Sequence, residues 1–241
     1  MPSRFVVLLV LASACGACGD DGAKPDGSMC TPLVIDSDNA SCGDQLRFTG
    51  EYVDWDVDVG FCGIFEALFE VSGGAMDTTA PNGRFDLCIS NTAAQTLLDI
   101  TPSATASQCS NPPSSYNLPG IAVANKAVIG AGVLFSGRNI TTARQTTFFQ
   151  SAGITFDAAK AQVFVHVEGT PRALTLAAAH AAPQAVVATA WAAGDTGHEV
   201  FFPNVDVGAG TTSLEMTGCA IGTGSIPLAA GKITNVTILA Q

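Results

Sequence analysis

Positive charge is scarce in this chain: ten Lys and Arg stand against 21 Asp and Glu, leaving a formal net charge of −11. A nucleic-acid partner needs clustered cations that neutralise phosphates and release counterions, so that class is excluded. Charge of either sign is thin, at 13% of residues against 47% hydrophobic, the reverse of the balance that keeps a chain disordered. Beyond the N-terminus no run of 18 apolar residues is free of Gly, Pro and charge, so no bilayer-spanning helix is expected. Catalytic motifs are missing as well. The three histidines, His166, His180 and His198, belong to no His-Glu-x-x-His pattern, and there is neither a Gly-x-Ser-x-Gly elbow nor a phosphate-cradling Gly-Lys-Ser run. No enzyme activity is expected.

The N-terminus supplies an address. Arg4 precedes an uncharged apolar run from Phe5 to Leu11, followed by the small-residue and cysteine cluster ASACGAC ending at Cys18. This order resembles a bacterial lipoprotein signal, in which a cysteine is lipidated and becomes the first residue. The resemblance implies a signal peptide with lipobox over residues 1–18, a membrane partner reached through the lipid, and a place in the cell envelope. The outer membrane is the expected one, with the protein facing periplasm or exterior. An ordinary secretory signal, cleaved without leaving an anchor, is the alternative. The Gly-, Pro- and Asp-rich residues that follow cannot bury enough apolar area to order themselves, and 19–43 reads as a flexible tether.

Cysteine parity bears on the anchor. Cys30, Cys42, Cys62, Cys88, Cys109 and Cys219 form an even set that an oxidising compartment would let pair. Lipidation of Cys18 leaves that set intact, whereas lipidation of Cys15 leaves Cys18 as an odd thiol. Ala12-Ser13-Ala14 ahead of Cys15 is nevertheless the better lipobox, so both cysteines stand. Cys62–Cys88 is the first expected bridge, Cys30–Cys42 the second. No C-x-x-C pair follows the signal, which argues against zinc or redox roles.

From Asp44 the chain becomes short strands between turns. Phe65 to Val71 and Arg84 to Cys88 alternate apolar and polar residues, the pattern of strands with one buried face. Pro81-Asn82-Gly83 reads as a tight turn, since Pro presets φ and Asn-Gly accepts positive φ, and its flanking strands are expected to pair. The strand FTGEYVD, then EALFEVSGG, then TTAPNGRFDLCI together resemble the carboxypeptidase regulatory-like, transthyretin-like β-sandwich family over Gln45 to Pro102. That resemblance implies a non-catalytic sandwich of the kind attached to enzymes, surface proteins or receptors.

Further on, AQVFVHVEG (Ala161 to Gly169), ALTLAAAH (Ala173 to His180) and TAWAAGDTGHEVFFPNV (Thr189 to Val205) repeat the first set in order, with Gly197 answering Gly83. TSLEMTG and KITNVTILAQ supply the closing strands. The expected fold is all-β: two tandem transthyretin-like or immunoglobulin-like β-sandwiches, at 44–135 and 157–241, with a connector at 136–156. Ile121-Ala-Val and Ala127-Val-Ile read as extra strands of the first. The connector carries one short helix over Asn139 to Gln150, with Asn139 as N-cap and Gly153 ending it.

Two constellations suggest binding. In EYVDWDVDVG, Asp54, Asp56 and Asp58 alternate and would set hard oxygen ligands for Ca²⁺ on one side of an extended segment, yet Gly60 and Phe65 do not fit an EF-hand. A solvated acidic rim gives the same pattern. Trp55, with Tyr52 and Phe61, is either an exposed platform for a sugar or peptide or a cap on the core; Trp191 is core. The function expected is a non-catalytic envelope lipoprotein for binding, adhesion or structure, with an envelope protein or polysaccharide as partner and no cofactor. A Ca²⁺-dependent carbohydrate-binding module and an accessory subunit of a secreted hydrolase are the alternatives.

Overall fold

The computed structural model describes residues 42–55, 62–107, 113–218 and 224–240. Cys15, Cys18, Cys30, Asp56, Asp58, Phe61, Cys109 and Cys219 lie outside them, as do the signal segment and all but the last residues of the tether.

The class is all-β. The first stretch forms β1 (Leu46–Asp54), β2 (Leu68–Glu70), β3 (Met76–Thr78), β4 (Arg84–Ile89), β5 (Gln95–Thr101) and β6 (Gly120–Asn125). Helix α1 (Lys126–Gly130), β7 (Phe135–Asn139) and helix α2 (Thr142–Ser151) follow. The remainder comprises β8 (Ala161–Gly169), β9 (Leu174–Leu176), β10 (Gln184–Val187), β11 (Ala190–Ala193) and β12 (Glu199–Val205), then β13 (Thr211–Thr212), β14 (Leu214–Met216), β15 (Ile226–Pro227) and β16 (Ile233–Ala240). No helix among the described residues is long and apolar enough to cross a membrane.

Nine strands form one sheet in the order β11-β10-β12-β8-β16-β6-β5-β2-β3. It runs without a break through both segments that the sequence reading assigns to separate sandwiches. The join is parallel: β16 sits between β6 and β8, pairing Asn235 with Ala122 on one side and with Phe164 on the other. A three-stranded sheet, β4-β1-β7, packs against the first part of the large sheet in a sandwich-like manner, and two small ribbons, β9-β14 and β13-β15, cover the later part.

Side-chain alternation then places two cores on opposite faces of the large sheet. In β6, Ala122 and Ala124 join the core under the three-stranded sheet, whereas Val123 joins the core under the ribbons. The same division recurs in β8, where Val163, Val165 and Val167 face the ribbons while Phe164 faces the other way. A third cluster at the junction holds Trp55, Phe148, Phe149, Phe164 and Phe201. Each such large side chain, once buried, contributes about 1.5–3 kcal/mol.

Several expectations are corrected. The Pro81-Asn82-Gly83 turn forms, closed by the Ala80 N–H donating to the Arg84 carbonyl at 2.9 Å, but its flanking strands do not pair. β3 pairs with β2 and β4 with β1, so the chain crosses here from one sheet to the other. Alternation drives the crossing: Phe85 of β4 turns inward and stacks on Phe69 of β2 at 4.2 Å, a contact between layers. Gly83 is required there, with φ +75° and the Tyr52 carbonyl oxygen only 2.3 Å from where a Cβ would sit. Ala127-Val-Ile is helical, in α1, because the Asn125 side chain caps it by accepting from the Ala127 N–H at 2.9 Å. There are thus two helices among the described residues. In α2 the N-cap is Thr141, since Asn139 belongs to β7 and spends its Nδ2 on the Leu118 carbonyl. Gly153 ends α2 as expected, at φ +67° with its N–H on the Gln150 carbonyl.

The disulfide expectation changes too. Cys88 bridges to Cys42, with Cα atoms 5.5 Å apart, which displaces both the Cys62–Cys88 and Cys30–Cys42 pairings. The β1–β4 register brings Cys88 opposite Arg47 near the start of β1, within reach of the residues that lead into it. Cys62 is also disulfide-bonded.

Candidate functional site

Asp54, the expected calcium ligand within the described residues, is buried at the end of β1. Its Oδ2 accepts from the Ser107 hydroxyl at 3.0 Å and the Tyr116 hydroxyl at 2.5 Å. Burial and the adjoining Asp54 carboxylate push the Tyr116 phenol above its ordinary range, so it stays a donor. The carboxylate oxygen is therefore occupied from within. Among the described residues no three His, Cys, Asp or Glu side chains are grouped to hold a metal.

Trp55 is not an exposed platform. Its ring is fully buried, stacked on Trp191 at 4.7 Å and 14° and flanked edge-on by Phe148 and Phe201. Trp191 in turn donates its Nε1–H to the Trp55 carbonyl at 3.2 Å. These rings pin β1, α2 and the far strands of the large sheet to one another.

The chemistry concentrates instead between β7 and the large sheet. Where β7 crosses β16, the Ser136 N–H donates to Thr237 Oγ1 at 3.0 Å and the Arg138 N–H to Asn235 Oδ1 at 2.8 Å. Gly50 lets β7 approach β1, since a Cβ there would lie 2.3 Å from the Phe135 carbonyl oxygen. This placement carries the Arg138 guanidinium onto Glu199 of β12, with Nε to Oε2 at 3.1 Å, while Nη1 donates to the Asp54 carbonyl at 2.7 Å. His166 lies opposite Glu199 in the β8–β12 register, and its Nδ1 contacts Glu199 Oε1 at 3.0 Å. On its other side, Nε2 stands 3.6 Å from Glu168.

The titration of both partners is shifted by this contact. Burial alone would lower the His166 pKa, but the hydrogen bond and charge of Glu199, with Glu168 behind, hold it above the ordinary histidine value. Burial alone would raise Glu199, yet His166 and Arg138 hold it below the ordinary carboxylate value. Glu51 of β1 differs: burial pushes its carboxyl up, and the charges of Arg84, His166 and Arg138 only partly offset the rise.

Two clefts open around these groups. One, of about 540 Å³, is lined by Glu51, Ser136, His166, Glu168 and the apolar Leu134 and Leu239. The other, of about 560 Å³, shares Glu51 and Leu134 and is lined by Arg47, Arg84, Asp77 and Asp86. Arg47 and Asp86 form an exposed two-contact pair at 2.6 and 3.0 Å, a type worth at most about 1 kcal/mol. The arrangement can orient a polar ligand along an apolar wall.

The sequence alone puts His166 in a strand and gives Arg138 and Glu199 no role. The available signal was the appearance of His166 on the alternating face of an otherwise apolar strand. Its main partner, Glu199, is 33 residues away and comes near only through the β8–β12 register. Comparison with family models, with curated proteins and with solved structures gives no match for this chain.

Proposed function

We propose that this chain is a non-catalytic lipoprotein of a bacterial cell envelope, anchored through Cys18 or Cys15 to the outer membrane, that serves as a binding, adhesion or structural module. The observation that carries the reading is the Cys42–Cys88 disulfide beside a further bonded cysteine, Cys62, downstream of a lipoprotein-type signal. Such bonds persist outside the reducing cytoplasm. In this reading the three-stranded sheet and the strands beneath it form a transthyretin-like sandwich of the carboxypeptidase regulatory-like kind. The later strands form a second, diverged sandwich-like half that shares the large sheet.

The ligand, an envelope protein or polysaccharide, lies along the two clefts flanking Glu51. The strongest acid–base contact nearby, His166 with Glu199, is committed to Arg138 and Glu168, which supports recognition over catalysis. Peptide mass spectrometry of an envelope fraction tests the reading. A diacylated or triacylated N-terminal cysteine, together with the Cys42–Cys88 peptide pair, is expected. An unacylated N-terminus or free thiols at Cys42 and Cys88 would refute it. A rise in melting temperature with added calcium, abolished by Asp56→Asn, would favour the Ca²⁺-dependent carbohydrate reading; co-purification of a peptidase would favour an accessory role.

A further inference from the structure

The large sheet ends in two edges, and they are protected differently. At the β3 edge Asp77 lies within the strand, its carboxylate accepting from the Thr78 N–H and, across to β4, from the Asp86 N–H, both at 2.8 Å. That puts a charge on the edge and ties it down, a common way of blocking strand addition. At the other edge, β11 pairs with β10 alone among the described residues. The hairpin from Gln184 to Gly194 contains no charged residue and no proline. Ala190, Ala192 and Ala193 are exposed, and Val187 beside them is 58% exposed.

In a chain of net charge −11, most surfaces repel a second copy; this hairpin does not. Its alanines let another backbone approach without displacing a side chain. The inner face is held rigid by Trp191 stacked on Trp55, so the edge is presented already extended. Antiparallel pairing of a strand with its own copy about a two-fold axis is self-complementary by symmetry.

We propose that β11 is a self-association edge at which two copies pair β11 to β11, antiparallel, and continue the sheet from one copy into the other. The contact is independent of where the chain is anchored. With four residues on each side, three of them alanine, cross-strand side-chain pairs add little, so the contact is a weak one that forms at high concentration.

Sedimentation equilibrium of the purified chain across about 10 µM to about 2 mM, the range of weak association, is the test. Reversible dimerisation is expected. Ala192→Lys and Ala192→Glu each place like charges across the pair and should weaken it about tenfold, while an equimolar mixture of the two restores dimers. Ala192 is exposed, so circular dichroism should show both variants folded as the parent. A parent chain that stays monomeric throughout overturns the proposal, including the case in which an extended peptide from another protein occupies the edge. Dimers that survive both charge variants, or variants that fail to associate when mixed, overturn it equally.

Discussion

The two cores on opposite faces of the large sheet are built by different means. Beneath the three-stranded sheet lie Phe48, Tyr52, Phe69, Phe85, Tyr116 and Phe135, whereas beneath the ribbons, among the described residues, Phe202 is the one phenyl ring among valines, leucines, isoleucines, alanines and methionine. Strand length does not separate them: β1 and β8 have nine residues each, and three-residue strands occur on both sides, β2 and β3 on the first, β9 and β14 on the second. The filling differs instead. Rings of large area and the Cys42–Cys88 bridge hold the first core, whereas β-branched and other aliphatic side chains hold the second by close packing. A continuous sheet can thus change its source of stability partway across.

The most damaging way to break this contrast is at the junction. Trp55→Ala removes a ring that follows β1 and packs against α2, β8, β11 and β12, and should cost about 5 kcal/mol. Calorimetry should show one lowered transition; two separated transitions would mean that the halves melt independently. Replacing Cys42 and Cys88 with serine releases a 46-residue separation, worth about 4 kcal/mol by chain entropy. Hydrogen exchange should quicken in β1 and β4 while β8 and β12 keep their protection. Equal loss in both would mean that the two cores share one source of stability.

Glu199→Leu leaves the mostly buried Arg138 guanidinium without its carboxylate and should cost about 3 kcal/mol in urea unfolding. Glu199→Gln, which keeps an acceptor oxygen, should cost less. The same contact sets a pH window. His166 is held above its ordinary value, so its contribution is full below about pH 6.5 and fades as pH rises through its folded value. Glu199 is held below its own, so its contribution is full above about pH 4.3 and fades as pH falls through its folded value. Stability from this contact is therefore greatest between the two, and His166→Gln should flatten the upper limb of a melting-temperature profile against pH. The smallest effect is a gain: Ala188, at the tip of the β10–β11 hairpin, has φ +57°, so Ala188→Gly should add about 0.5–1 kcal/mol.

Much of this fold was legible where local pattern suffices. β8 occupies Ala161–Gly169, the run that the repeat of the first set marks as a strand, and β4 and β5 fall within their expected runs. β7 escaped because Phe-Ser-Gly-Arg-Asn has no alternation and takes its place from contacts with β1 and β16. β10, four residues long, is too short for its period to register. The shared sheet was also out of reach, since pairing between β6 and β16 spans more than a hundred residues. Trp55 showed the limit from another side. An aromatic between two aspartates reads from sequence as an exposed platform or, more often, as a cap on the core, and the cap is what Phe148, Trp191 and Phe201, arriving from elsewhere, make of it.

The position of β16 between β6 and β8 also has a consequence for biogenesis. Until residues 233–240 have been made and delivered, β6 and β8 each present a bare strand edge, and neither can borrow the other, because both wait for the same strand. A chain emerging N-terminus first therefore completes its largest sheet in a single late step, and any product interrupted before Ile233 carries two open edges for proteases and aggregation to find.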